Sequence, residues 1–182
     1  MNTMVRLFVA AEITEDVRDQ YAEVQEMIRQ SKARLTLVDP ADMHITLKFI
    51  GDVDGTLIPQ ITDVLRRVSG SQFTLDLGPV TANSPKSPRV IWGELHDDGT
   101  CRRLAGEIDA ALSPLGIEAE TRKFRPHITI ARVRQFHQSL FEEIATITDS
   151  CSGSFSVDRF VLKKSELTPQ GPIYTDILEV PL

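Results

Sequence analysis

Cysteine is nearly missing from this chain, with only Cys101 and Cys151 among 182 residues. Two thiols so far apart form neither a disulfide framework nor the clustered ligands of a zinc site, and a reducing cytoplasm is the expected compartment. No apolar run approaches the roughly 20 residues of a membrane-spanning helix. The start, Met1–Ala10, lacks a charged region ahead of a long apolar one, so it does not read as a signal peptide. Positive charge is in deficit: 20 Lys and Arg against 26 Asp and Glu leave a net charge of −6. That balance argues against wrapping a long stretch of nucleic acid. Aromatics are sparse at 6%, and there are four histidines. What remains is ordinary for a globular protein, 41% hydrophobic and 25% charged, in a length that suits one compact domain or two intimate lobes.

Against this background one context occurs twice. His44-Ile45-Thr46-Leu47 is echoed in the second half by His127-Ile128-Thr129-Ile130. Side chains alternate along a strand, so His and Thr at i and i+2 share a face while the aliphatics anchor the other. Each unit presents an imidazole, which moves protons near neutral pH, and a hydroxyl, which donates to an anionic oxygen. One such unit is an ordinary occurrence; two among four histidines are a signal. Around the second, residues 121–134 carry Arg122, Lys123, Arg125, Arg132 and Arg134 without a single Asp or Glu. In an acidic chain this concentration is suited to attract a small anionic group. Together the units hold an acid, a base and two hydroxyl donors, a set sufficient for phosphoester hydrolysis without a metal or other cofactor.

Hydrophobic periodicity places these units. Strands are expected at Met4–Ala10, with Val5, Leu7 and Val9 inward and Phe8 outward, and at 34–38, 43–50, 72–80, 89–95, 117–119, 126–133, 154–162 and 173–180. Gly51-Asp52 should end the first His-Thr strand. Helices are expected from Thr14, a candidate N-cap, to about Gln30 with a core stripe Val17, Tyr21, Val24, Met27 and Ile28; over 58–68; over 100–113; and over 138–148. Both halves read strand, helix, strand, His-Thr strand, helix, strand, a repeat in pattern across roughly 1–80 and 89–182. The expected class is α+β: a single bilobal domain over 1–182, two antiparallel-rich sheets facing across a central cleft, helices outside.

Met43-His-Ile-Thr-Leu-Lys-Phe-Ile-Gly51 and Arg125-Pro-His-Ile-Thr-Ile-Ala-Arg132 resemble the paired H-x-[ST]-x motifs of the two-histidine (2H) phosphoesterase superfamily. The likeness is to its RNA 2',3'-cyclic phosphodiesterase branch, the LigT-like proteins historically called 2'-5' RNA ligases. Arg89-Val-Ile-Trp92 and Leu167–Tyr174 also resemble the branch, so nearly the whole chain is covered. The resemblance implies a bilobal fold with both termini in one lobe, His44 as general acid, His127 as general base, and Thr46 and Thr129 as phosphate-binding hydroxyls. It implies that Arg132 contacts substrate, although strict alternation turns Arg132 away from His127 unless a bulge re-aims it. Lys48 shares parity with His44 and is a second candidate phosphate contact; Phe49 and Trp92 read as packing residues; His96 and His137 carry no chemistry.

The expected substrates are RNA 3' termini or tRNA half-molecules ending in a 2',3'-cyclic phosphate, or small cyclic nucleotides, handled by a monomer away from any membrane. Ligation in reverse, another cyclic-nucleotide phosphodiesterase activity, or mere binding of RNA ends are the competing readings. A binder needs no proton donor and acceptor, which the paired motifs retain.

Overall fold

The computed structural model describes residues 3–182. Nine strands and four helices follow in the order β1 (Met4–Glu12), α1 (Glu15–Ile28), β2 (Arg34–Leu37), β3 (His44–Asp54), α2 (Ile58–Leu65), β4 (Phe73–Ala82), β5 (Val90–His96), α3 (Thr100–Leu112), β6 (His127–Gln135), α4 (Ser139–Ile147), β7 (Ser154–Val157), β8 (Arg159–Thr168) and β9 (Gly171–Pro181). All pairings are antiparallel. The strands run β7-β4-β5-β6-β3-β1-β8-β9, with β2 pairing β6. Two four- to five-stranded walls thus face each other within one connected sheet, and their seam is the single register pair Ile45↔Ile128. The expected α+β class with two antiparallel walls is found, the walls being continuous at the motifs themselves. β1 and β9 lie in the same wall, as the resemblance implies.

The chain is interleaved between the walls. β4, from the first half, pairs with β5 and β7; β8, from the second, pairs with β1. α1 packs on α4 and β6, and α3 on β3 and α2. The expected strand 154–162 is therefore two strands, broken at Asp158, where the chain passes from one wall to the other. The carbonyl of Asp158 accepts the Leu182 N–H there. The short strand expected at 117–119 is absent: side chains hold this segment instead, Lys48 donating to the Glu118 carbonyl and Asp109 accepting from the Glu120 N–H. Nor does β3 stop at Gly51. Gly51, at φ +86°, continues the strand through a bulge that leaves Ile50 unpaired, a conformation that favours glycine.

Burial corrects two face assignments. Leu7 through Ala11 are all buried, because β1 lies mid-sheet with its second face under the cleft, so Phe8 is enclosed rather than outward. On α1 the core stripe is Val17, Tyr21, Val24 and Ile28, while Met27 is 45% exposed and Gln25 is buried in its stead. Thr14 has N-cap backbone geometry, but its side chain makes no capping bond.

Candidate active site

The two His-Thr units meet at the seam. The antiparallel pair Ile45↔Ile128 leaves His44 and Thr129 flanking it at one end and Thr46 and His127 at the other. Both isoleucines are fully buried, so the imidazoles and hydroxyls emerge together on the opposite face. Each imidazole is held in the same way. His44 Nδ1 lies 2.7 Å from the carbonyl of Asp42 and His127 Nδ1 lies 2.8 Å from that of Arg125, in each case two residues upstream. A carbonyl only accepts, so both Nδ1 atoms carry hydrogen and each Nε2 is left for chemistry. Pro126 restricts this segment locally, since a proline keeps the preceding residue, Arg125, extended.

Aromatic rings confine the imidazoles. The Trp92 ring stands 4.4 Å from His127. Phe8 and Tyr174 lie 4.9 and 5.6 Å from His44, Tyr174 edge-on. Burial is the largest influence on both imidazoles and pushes both below the ordinary histidine value, partly offset by the backbone carbonyls that accept from Nδ1. His44 also feels the opposing charges of Lys163, which disfavours its protonation, and Glu12, which favours it. Lys163 bridges Glu12 at 2.6 Å and Asp176 at 2.7 Å. These groups, with Asp42, Tyr174 and His44, line an open cavity of about 390 Å³. Glu12, Phe8, Lys163 and Tyr174 come from β1, β8 and β9, and no local pattern in the sequence marks them as neighbours of His44.

Thr46 Oγ1 is 3.2 Å from His44 Nε2. While His44 is neutral the hydroxyl donates to that nitrogen. Once Nε2 is protonated the hydroxyl accepts instead, and its own hydrogen is free for a bound oxygen.

The strict alternation that turned Arg132 away fails, and the same departure occurs in both motifs. On β6, Trp92 pairs with Thr129 and Ile91 with Ala131, so Ile130 is unpaired; Ile130 and Ala131 are consecutive and both fully buried. On β3, Ala10 pairs with Thr46 and Val9 with Lys48, so Leu47 is unpaired; Leu47 and Lys48 are likewise both buried. Each bulge stands three residues after its histidine and reverses the parity beyond it. Arg132 thereby returns to the face of His127, exposed, and its charge reaches Tyr174 of the opposite wall. Phe49 returns to the face of His44 and is 58% exposed, a correction to its reading as a core residue.

Lys48 goes the other way. Its side chain is only 4% exposed, its Nζ donates to the Glu118 carbonyl at 2.6 Å and pairs with Asp109 of α3 at 2.5 Å, so it is not a phosphate contact. A buried polar group braces each bulge from a packed helix. Lys48–Asp109 serves β3, and on β6 the Gln25 amide of α1 donates to the carbonyls of Ile130 (2.9 Å) and Val38 (2.6 Å).

The LigT like Phosphoesterase family matches residues 12–92 and 96–174, each segment containing one His-Thr unit. The chain belongs to the LigT-like phosphoesterase family. Its similarity to curated members extends over nearly full length. It is 35% identical over 179 residues to the RNA 2',3'-cyclic phosphodiesterase of Thermotoga maritima, covering 96% of this chain and 94% of that one. It is 32% identical over 178 residues to the protein of that name from Methanothermobacter thermautotrophicus, covering 95% and 96%. Among solved structures, a protein of Thermus thermophilus superposes with a TM-score of 0.83 at 27% identity, over 97% of each chain. Escherichia coli LigT complexed with 3'-AMP shares the fold, with a TM-score of 0.82 at 23% identity over 99% of each chain. Among the described residues of this LigT-like protein, no helix is long and apolar enough to cross a membrane. No three His, Cys, Asp or Glu of those residues are grouped so as to hold a metal ion.

Proposed function

We propose that this LigT-like protein hydrolyses 2',3'-cyclic phosphates at RNA 3' termini, including those of tRNA half-molecules, and accepts small cyclic nucleotides at the same site. One observation carries the reading: two imidazoles, each fixed through Nδ1 to a carbonyl two residues upstream, offer their Nε2 atoms on one face beside two hydroxyls. In the proposed cycle His127 Nε2 takes a proton from water, whose oxygen forms a new bond to phosphorus. The bond from phosphorus to the ribose 3' oxygen breaks, and His44 Nε2–H protonates that oxygen. A 2'-phosphate and a free 3'-hydroxyl result, and the proton balance is restored by exchange with solvent. Thr46 and Thr129 donate to the non-bridging oxygens as their charge grows. When His44 Nε2–H turns to the leaving oxygen, Thr46 no longer donates to that nitrogen, and its hydroxyl hydrogen is free for this purpose. Arg132 adds charge at the phosphate, and exposed Phe49 offers a ring face to a base. The working unit is a cytoplasmic monomer.

The test is turnover of a 2',3'-cyclic mononucleotide in the presence of a chelator, with the product regiochemistry read by phosphorus NMR. Formation of the 2'-phosphate is expected. Activity lost in chelator and restored by a divalent metal overturns the mechanism. Polarity is read from the pH profiles: His127→Ala should remove the acid limb, and His44→Ala the alkaline one.

A further inference from the structure

The two walls of the cleft differ in how their cations are partnered. In the wall of β1, β3, β8 and β9 every cation on the cleft side is matched by a carboxylate: Arg6 by Asp52, and Lys163 by Glu12 and Asp176. In the other wall, Arg34, Arg132 and Arg134 have no carboxylate partner among the described residues, in a chain with six more acids than bases. These three share a face. Leu35 and Leu37 of β2 pack on the core, which turns Arg34 and Thr36 outward. Thr36 pairs in register with Arg132 and accepts a hydrogen bond at 2.9 Å from Arg134 Nε. Arg134 is thus tethered through its Nε, which leaves its terminal nitrogens to donate elsewhere. The bulge at Ile130 sets Arg132 and Arg134 on the face of His127 and Thr129, a line of cations leading away from the reacting phosphate. Two residues of a regular strand stand about 6.6 Å apart at roughly 3.3 Å per residue, a step that successive phosphates of a single strand match. Arg134 lies at the end of the regular stretch, unpaired where β2 steps from Leu35 to Arg34. Guanidinium groups suit such oxygens because they donate in a planar fork.

We propose that Arg134 and Arg34, with Thr36 as positioning residue, form a subsite for the phosphodiesters preceding the terminal cyclic phosphate. The inference rests on the function proposed above and extends it: the substrate is an RNA strand laid along β6 and β2, and a cyclic mononucleotide uses only part of the cleft. An acidic protein steers a polyanion by confining its free positive charge to one track.

The experiment compares a pentanucleotide ending in a 2',3'-cyclic phosphate with the 2',3'-cyclic mononucleotide, using wild type, Arg134→Gln and Arg34→Gln. Each substitution should raise KM for the pentanucleotide about 5- to 10-fold, as for a solvent-exposed charged hydrogen bond, with kcat kept. The slope of log(kcat/KM) against log salt should become shallower by about 0.7 per arginine, the value for one single-strand phosphate contact. Turnover of the mononucleotide should be unchanged. Equal losses on both substrates, or no loss on the pentanucleotide, overturn the subsite while leaving the phosphodiesterase reading intact. If wild type opens neither substrate, that reading fails; anisotropy of a labelled pentanucleotide bearing a 2'-phosphate then decides the subsite separately, since arginine-dependent affinity supports it and arginine-independent affinity refutes it.

Discussion

Replacing Lys48 by Met separates the two faces of β3. The substitution keeps the length and burial of the side chain but removes its charge, leaving Asp109 without the cation it holds at 2.5 Å. Breaking one side of a buried ion pair costs about 3–5 kcal/mol, because the surviving charge is stranded. Asp109 retains 22% exposure and accepts from the Glu120 N–H at 3.3 Å, so water and one donor relieve part of the penalty. A loss of about 2–3 kcal/mol is the reasoned figure, which at roughly 2–4 °C per kcal/mol for a chain of this size lowers Tm by about 4–12 °C. Restoring charge balance with Lys48→Met/Asp109→Asn should recover at least half of the loss, the signature of coupling within one pair. Calorimetry gives Tm, and cyclic-mononucleotide turnover per folded molecule gives kcat/KM, expected to stay within about two-fold because the site face is untouched. A variant that keeps its Tm but loses turnover ten-fold or more refutes the reasoning. Lys48 would then be a phosphate contact, and the bulge at Leu47 would not reverse the strand.

His44→Ala and His127→Ala should each lower kcat by about 10²-fold or more with the fold retained, and the double variant should be little worse than the worse single; near-full activity in either refutes the acid–base pair. Thr46→Val and Thr129→Val should cost about 10- to 150-fold in kcat/KM, with little change in Tm because the cleft is open to water; a lowered Tm with unimpaired turnover would make them core residues. Burial lowers both imidazole pKa values, so below about 6.5 the unfolded chain binds protons that the folded one does not, and stability falls as pH drops through that window. The fall ends once the folded imidazoles are themselves protonated, and a His44→Gln/His127→Gln double variant should show a shallower dependence of Tm on pH. Trp92, the single tryptophan, should report His127 directly: its emission should titrate with a midpoint below the ordinary histidine value of about 6.5, and this titration should vanish in His127→Gln.

Alternation alone located His44, Thr46, His127 and Thr129 on their common face, because a two-residue period is a local property of a strand. It failed one step later at Lys48, Phe49 and Arg132, since nothing adjacent to them announces a bulge. What braces each bulge lies far along the chain, Gln25 for β6 and Asp109 for β3. Met27 and Gln25 were exchanged for the same reason: an amide that finds two buried carbonyls belongs inside, and those carbonyls arrive from β6 and the end of β2. The rings and charges around His44 were illegible because β1 meets the β8–β9 hairpin only by tertiary pairing. The break at Asp158 was hidden because Ser154–Leu162 reads as one β-forming run; only the destination of the chain divides it.

The interleaving of the chain has a practical corollary. Cutting the exposed loop between Lys86 and Ser87 yields two fragments, each carrying one histidine and one threonine of the site. Neither can complete a wall: β2 and β4 of the first fragment find their partners, β6, β5 and β7, only in the second, while β8 of the second needs β1 of the first. Fused to two proteins that bind one another, the halves would regain both His-Thr units on one sheet only when brought together. Split in this way, the molecule would serve as a two-part reporter whose signal is its own turnover, silent in either part and switched on by proximity.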